Sequence, residues 1–245
     1  MSVSQFKGFI ECEAKEMAKL TGAYIEPQSN AMLVGSYLHA AFEGDEVFRT
    51  FEEENNKAIY KSRGGKYSDF EMADSMIETL KSDPFAMFAI EGEKEQIYTA
   101  DLFGAAWKIK VDSIHHGRLS FSDLKTTQDL HKRYWSDKYN GWVSFIEAWD
   151  YVLQMAVYRR VLQENLGQTY TPYIVAVTKE NPPNKAVVHF DESRFEFEYE
   201  YLDKMERINE VKQGIKEPIR CEKCRYCRGS RKIIDTIEVG ALIHE

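Results

Sequence analysis

Two aspartates and a lysine near the middle of this 245-residue chain have the types and spacing of a hydrolytic site. Asp112 lies in Lys-Val-Asp-Ser-Ile, and Asp123 and Lys125 follow in Ser-Asp-Leu-Lys-Thr-Thr. Both runs alternate apolar with polar residues, the period of β-strands, and they fall on neighbouring strands of a hairpin. Asp123 and Lys125 are i and i+2, so their side chains leave the same face. Two carboxylates beside a lysine form a chemical unit. The acids offer hard oxygen ligands to a divalent cation such as Mg²⁺, and the lysine can orient water or offset anionic charge at a phosphate. The D-x-K pattern alone also occurs on ordinary solvated hairpin faces, so other residues must decide between the two readings.

Upstream, Gly35-Ser-Tyr-Leu-His39 sets an imidazole on a helix, either as a further metal ligand or as an ordinary helix histidine. Glu43 lies one helical turn on and shares that face, a spacing also common in any acidic helix. Downstream, Gln154 and Tyr158 are again i and i+4, and either face the sheet or serve as plain surface polarity. After the D-x-K strand comes a basic and aromatic stretch in which Lys132, Arg133 and Tyr134 are candidate contacts for a polyanion with flat rings, as a nucleic acid is. Trp135, Trp142 and Trp149 recur every seven positions. Gly141 interrupts that span, and large aromatics near a helix start are expected in the core rather than on a stacking surface.

These groups need a scaffold to hold them. The first ninety residues read as helices: one through Phe6, Phe9, Ile10, Met17 and Leu20, a second from Asn30, a third behind a capping box of Ser68 and Glu71, and a short one restarted at Asp83-Pro84. From about Glu95 the period becomes two, giving strands over Ile97–Phe103, Trp107–Ile114 and Arg118–Thr126, the last two joined by a tight turn at His115-His116-Gly117. A long helix over Val143–Asn165 closes at Gly167. Strands over Pro172–Thr178 and Lys185–Phe190 and a helix over Glu192–Gln213 complete the pattern. The expected architecture is a single α/β domain over 1–245, with a helical part at 1–92, a catalytic core at 93–213 and a cysteine-rich cap at 214–245.

In this order the motifs resemble the RecE-like and RecB-like branch of the PD-(D/E)XK nuclease superfamily. The matching residues are Gly35 and His39, Asp112 in KVDS, Asp123 and Lys125 in SDLKTT, and Gln154 and Tyr158. The surrounding runs FGAAWKIKVDSI, SDLKTTQDL and FIEAWDYVLQMAVYRRVL look like phage and prophage exonucleases of the RecE type. The resemblance implies a restriction-endonuclease-like mixed sheet flanked by helices and Mg²⁺-dependent hydrolysis of linear duplex DNA, commonly 5′ to 3′, with Mn²⁺ able to substitute. It also implies a single-strand annealing recombination partner and a homo-oligomer. Carried over residue by residue, His39, Asp112, Asp123 and the Leu124 backbone carbonyl are metal ligands, Lys125 serves the attacking water, and Gln154 and Tyr158 position DNA or the active-site strands. The family's acidic residue upstream of the first motif strand has no marked counterpart, since Glu43, Glu93 and Glu95 all qualify. A nuclease that trims or nicks DNA within a larger assembly, and a non-catalytic metal-capped DNA-binding protein, are the competing readings.

The chain is 43% hydrophobic and 13% aromatic, too rich in core formers for a disordered protein, and its 14 Gly and 6 Pro exclude a fibrous one. The net charge of −8 argues against nucleic acid as a partner of the whole surface. The charge is uneven, however. Lys212 to Lys232 carries +6, leaving −14 elsewhere, so DNA contact is expected only on local basic surfaces near Lys125–Arg133 and the C-terminal cap. Three of the four cysteines, Cys221, Cys224 and Cys227, lie in that basic stretch, and Cys12 lies near the other end. The N-terminal residues lack the pattern of a secretory leader and no run is apolar enough to span a membrane, so a cytoplasmic protein is expected, in which clustered cysteines bind metal. The tight C-x-x-C-x-x-C spacing is ferredoxin-like, and only Cys12 is left to supply a fourth thiolate. That arrangement resembles the iron-staple nucleases of the same superfamily, which implies a 4Fe–4S cluster. Zn²⁺, or no metal at all, is the alternative.

Overall fold

A computed structural model describes residues 1–233 and 235–242. In chain order the helices are α1 (Val3–Glu11), α2 (Glu13–Leu20), α3 (Asn30–Glu43), α4 (Asp45–Glu54), α5 (Asn56–Ile59), α6 (Ser68–Lys81) and α7 (Pro84–Ile90). Strands β1 (Glu93–Leu102), β2 (Ala105–His115), β3 (Ser120–Thr127), β4 (Tyr134–Ser136) and β5 (Gly141–Val143) follow. The chain continues through α8 (Phe145–Ala148), α9 (Tyr151–Leu166), β6 (Thr171–Thr178), β7 (Lys185–His189), α10 (Ser193–Tyr201), α11 (Met205–Lys212) and α12 (Arg225–Gly229). These elements form two compact units: Met1–Val3 with Pro27–Met205, and Ser4–Glu26 with Glu206–Glu245. Helices α3 to α7 therefore belong with the sheet, whereas the first two helices group with the C-terminal segment.

The first unit is built on a five-stranded mixed sheet in the order β1-β2-β3-β6-β7. β1, β2 and β3 run antiparallel in sequence, β3 pairs parallel with β6, and β6 pairs antiparallel with β7. Phe103 and Gly104, both at positive φ (51° and 72°), make the two-residue turn of the β1–β2 hairpin, the geometry whose twist matches paired strands. A parallel β3–β6 pair needs a long crossover, and residues 128–170, with the β4–β5 hairpin, α8 and α9, supply it. Phe70, Ala73, Met76, Ile77 and Leu80 recur at helical spacing along α6 and pack with Leu33, Val34, Tyr37 and Leu38 of α3. Leu124, Val175 and Val177 join the same cluster from β3 and β6. Because Leu124 turns into this apolar layer, Asp123 and Lys125 must turn away from it. Gly92, at φ +133°, lets the chain enter β1 hard against β2, since a Cβ there would lie 2.3 Å from the Ile114 carbonyl oxygen.

Several elements differ from the sequence reading. The first helix is two, broken at Cys12, whose extended backbone (φ −165°) caps α2 through its sulfur. The Ser68/Glu71 capping box does not form, because Ser68 is itself the first helical residue and Tyr67 precedes it. A capping box exists instead at Ser144 and Glu147. Asp83 and Pro84 do start α7, with the Asp83 carboxylate accepting from the N–H groups of Phe85 and Ala86. The turn after β2 is a 3₁₀ turn over His116–Arg118 followed by Leu119 at φ 48°, so β3 begins at Ser120. The helix expected over Val143–Asn165 is interrupted at Asp150 (φ 53°), which separates α8 from α9. The helix expected over Glu192–Gln213 is α10 and α11 joined by a 3₁₀ turn at Leu202–Lys204.

In the second unit, Glu13 at the start of α2 takes a bidentate contact from Arg207 of α11, both bonds 2.9 Å, and accepts from the Ile219 N–H at 2.8 Å. The Ala14 N–H donates to the Ile219 carbonyl at 3.0 Å. Residues nearly two hundred positions apart are thereby fixed together. No helix among the described residues is long and apolar enough to cross a membrane.

Candidate active site

Asp112 occupies the point where both of its strand ladders fail. On one side the β1–β2 register pairs Lys94 with Ser113 and Gln96 with Val111, but the intervening pair, Glu95 opposite Asp112, is missing. Glu95 has φ +55°, a left-handed conformation that disfavours an L side chain. On the other side the β2–β3 ladder ends at Ser113 and Ser122, one step short of Asp112 and Asp123. The Leu124 N–H donates instead to Asp112 Oδ2 at 2.9 Å. The local splay of three strands thus opens a gap lined by carboxylates.

His39 of α3 reaches this gap, with Nδ1 3.3 Å from Asp112 Oδ2. His39, Glu95 and Asp112 offer ligand atoms that all lie within 4.8 Å of one another, the clustering expected of a cation site. Asp123 is nearly fully buried. Its Oδ1 accepts from the Gln154 side-chain amide at 2.6 Å, whereas its Oδ2 is in ion-pair contact with Lys125 and has no hydrogen bond of good geometry. A buried carboxylate oxygen left in that condition has capacity for a further partner. The Lys125 ammonium also lies 4.7 Å from the centre of the Tyr151 ring. Tyr158 stacks on Phe121 at 6.4 Å, and Glu95 is ion-paired to Lys110. A cleft of about 410 Å³ opens onto Asp112, Asp123, Lys125, His39, Glu43 and Tyr158.

The electrostatics follow from crowding acids in a poorly hydrated place. Burial, and then the neighbouring Asp123 charge, push the Asp112 carboxyl up to about 6, against the pull of His39, Lys125 and the Leu124 N–H. Burial pulls the Lys125 ammonium down, but Asp123 and Asp112 outweigh it and hold the pKa above the ordinary value. Lys125 is therefore a cation at neutral pH, and an added positive charge between the acids would relieve their repulsion.

The gap thus joins His39, Asp112, Asp123, Lys125, Gln154 and Tyr158 from four separate segments, with Glu43 at its edge. A family model for a PDDEXK-like domain of unknown function (DUF3799) matches residues 2–230. The chain belongs to this PDDEXK-like family. A solved structure described as a "Putative exonuclease" from Eubacterium rectale shares 32% identity, covers 99% of this chain and 92% of that one, and superimposes with TM-score 0.92. A second solved structure, 14% identical over 83% of this chain and 95% of that one, has TM-score 0.29 and carries no argument. No match exists among curated proteins. Within the PDDEXK-like frame, Glu95 is the acid of the three candidates that joins His39 and Asp112, whereas Glu93 does not, and Glu43 lines the cleft outside that trio. Tyr151 and Lys110 are further neighbours that the motifs did not mark. The i and i+2 relation of Lys110 to Asp112 was the available signal for one of them.

The basic and aromatic stretch lies partly on the β4–β5 hairpin. Lys132 sits 5.4 Å from the centre of the Tyr134 ring, and Arg133 is 5.9 Å from that of Trp142. The tryptophans are not core, contrary to the sequence expectation: Trp135 is 55% exposed and Trp142 64%, and Trp149 is also exposed. The strands are too short to bury both faces, and the ring pair faces water.

In the second unit the four cysteine sulfurs also lie within 4.8 Å of one another. Cys12 and Cys227 are 3.5 Å apart, beyond a disulfide bond, and all four thiols are free. Backbone N–H groups of Lys15, Cys224 and Cys227 point at the sulfurs of Cys12, Cys221 and Cys224. Burial pushes the Cys12 thiol up to about 12. Burial also raises Cys221, but backbone N–H groups of Cys224 and Lys223 outweigh it and bring that thiol down to about 7. Four converging sulfurs, three of them receiving N–H donors, suit a metal held by thiolates.

Proposed function

We propose that this protein is a divalent-metal-dependent exodeoxyribonuclease that hydrolyses linear duplex DNA, with Mg²⁺ as the working ion and Mn²⁺ able to replace it. The observation that carries this reading is the convergence of Asp112, Asp123 and Lys125 with His39 and Glu95 in one splayed gap. The Asp123 oxygen whose one contact is the Lys125 ion pair, and the repulsion between the acids, fit a cation held by His39, Glu95, Asp112 and Asp123, with the Leu124 carbonyl a further donor. When bound, that cation supplies a water of lowered pKa and Lewis-acid stabilisation of the phosphoryl oxygens. Gln154 fixes the Asp123 rotamer through its amide. Lys125, held charged by the two aspartates, orients the attacking water and offsets charge gathering on the phosphate. Tyr158 and Glu43 line the path of the strand.

The relative described as a "Putative exonuclease" supports action at ends rather than on circles. The likeness to RecE-type enzymes supports 5′ to 3′ resection, a role in phage-type recombination beside a single-strand annealing protein, and a homo-oligomeric state. Digestion of linear duplex labelled at the 5′ or the 3′ end, with Mg²⁺, tests polarity. Asp123→Ala is expected to lower turnover at least a thousandfold while leaving the melting temperature within a few degrees, and a variant that degrades DNA at the parent rate would sink the assignment.

The cysteine cluster favours a second reading within the same chemistry, a staple-type nuclease that trims or nicks DNA in a larger assembly. Cys12, Cys221, Cys224 and Cys227 would then hold a 4Fe–4S cluster, or Zn²⁺, in a structural role. Anaerobic purification with iron, sulfide and zinc analysis distinguishes the two metals, and nicking of closed circles would favour this reading over the exonuclease.

A further inference from the structure

The β4–β5 hairpin carries a surface that the proposed chemistry leaves unused. Trp135 and Trp142 are direct cross-strand partners, their ring centres 5.9 Å apart and edge to face at 81°. Both stand on the solvent side at more than half exposure. Cations flank them: the Arg133 guanidinium lies near the Trp142 ring, and Lys132 near Tyr134, whose ring meets Trp149 at 5.6 Å. An apolar surface meant for another protein is depleted of charge at its centre. Basic groups set beside aromatic rings instead suit a polyanion whose bases present flat rings, because the cations track phosphates while the aromatics stack.

The hairpin is also anchored to the body of its unit. Its turn sends Lys138 inward to Asp150 at 2.8 Å and to Glu198, which is fully buried, and Tyr139 donates to the same Glu198 carboxylate. A platform held in advance loses little freedom when a base docks on it. It lies close to the gap in the sheet. Lys132 follows Lys125 by seven residues, a span of at most about 25 Å of chain. Tyr151, which covers Lys125, meets Phe145 of α8 at 6.5 Å, and α8 packs against both hairpin strands.

We propose that Trp135 and Trp142, with Lys132 and Arg133, form a stacking platform for the unpaired bases of a DNA single strand. The substrate class becomes a duplex end bearing a single-stranded arm, an assignment that rests on the nuclease reading for the identity of the strand. The platform is sequence-tolerant, since every base offers a flat face.

The test uses the full-length protein carrying Asp123→Ala, so that the probe survives, and a fluorescein-labelled oligothymidylate of about 15 nucleotides read by anisotropy. Trp135→Ala and Trp142→Ala are each expected to weaken binding about fivefold to a hundredfold, and Trp→Phe at either position to restore most of it. Melting curves within a few degrees of the parent show that the exposed positions leave folding intact. Alanine variants that bind as tightly as the parent overturn the platform. So does a fall in solution mass by light scattering with unchanged oligonucleotide binding, which would make the patch a contact between copies. Hydrolysis is read separately on the parent protein with Asp123 intact: tryptophan-dependent binding beside a parent that hydrolyses no DNA with Mg²⁺ supports the platform and removes the nuclease reading, and metal-stimulated hydrolysis by the parent with tryptophan-independent binding does the reverse.

Discussion

At Glu95 the backbone and the side chain answer to different demands. The left-handed φ of +55° is a conformation that costs an L residue about 1 kcal/mol or more, yet it removes Glu95 from the ladder and lets its carboxylate meet Asp112 and His39. Glu95→Gly and Glu95→Ala should both lose at least 90% of metal-stimulated cleavage, while urea unfolding should show the glycine variant more stable than the alanine one by about 1 kcal/mol. A residue strained for packing alone would show the stability difference without the loss of activity. Gln154 acts one step away, through its amide on Asp123. Gln154→Ala is expected to lower activity about 10- to 100-fold, and a metal titration should show weaker apparent affinity. The strand period set Asp123 and Lys125 on one face, whereas His39 and Gln154, each readable as an ordinary helix residue, were marked by the resemblance of the motif order to PD-(D/E)XK nucleases. Glu95 was not. Its role depends on a ladder that skips one pair, and neither period nor composition records a skipped pair.

Among the elements, the β4–β5 hairpin shows where tertiary contacts overrule local pattern. Strands of three residues, Tyr134–Ser136 and Gly141–Val143, are too short to register as alternation, and the place of the tryptophans near a helix start, with Gly141 interrupting their span, pointed to the core. The break between α8 and α9 has the same origin. Asp150 leaves helical geometry at a place where its carboxylate meets Lys138, a residue of the hairpin turn. Burial raises the Glu198 carboxyl, and Lys138 with Tyr139 opposes that rise. Lys138→Ala would strand Glu198 without its ammonium, so urea denaturation at pH 7 should show a loss of about 3 kcal/mol, whereas Glu198→Gln should cost markedly less because no buried charge is orphaned. Equal losses in the two variants would mean that side-chain packing, and not charge, anchors the hairpin.

On the scale of the whole molecule, the mixed sheet flanked by helices is what the resemblance to PD-(D/E)XK nucleases implied, and the meeting of Cys12 with the C-terminal trio follows cysteine arithmetic, which left one thiol to join the other three. The grouping of α3 to α7 with the sheet was not legible, since helices that cover a sheet and helices that form their own layer share one period. Glu13 supports the distant pairing. Burial pushes its carboxyl up, but Arg207 and the Ile219 N–H outweigh that and hold it below the ordinary value of 4.5. A depressed folded pKa stabilises the protein above 4.5 and loses that contribution as pH falls through the folded value. Glu13→Gln should therefore lower stability by about 2 kcal/mol at pH 7, and chemical denaturation in acid should show the gap to the parent closing. Under the proposed four-thiolate site, Cys12→Ser and Cys224→Ser should each lose bound metal relative to the parent, read by elemental analysis. The distance in sequence between Cys12 and its three partners also sets a timetable. At ribosomal speeds of about 5–20 residues per second, Cys12 emerges roughly 10–40 s before Cys221 is made. For that interval the first thiol is a lone nucleophile on a nascent chain. Metal entry into the proposed four-thiolate site therefore waits for the end of synthesis, and metal shortage during synthesis should leave full-length chains whose four thiols are unfilled.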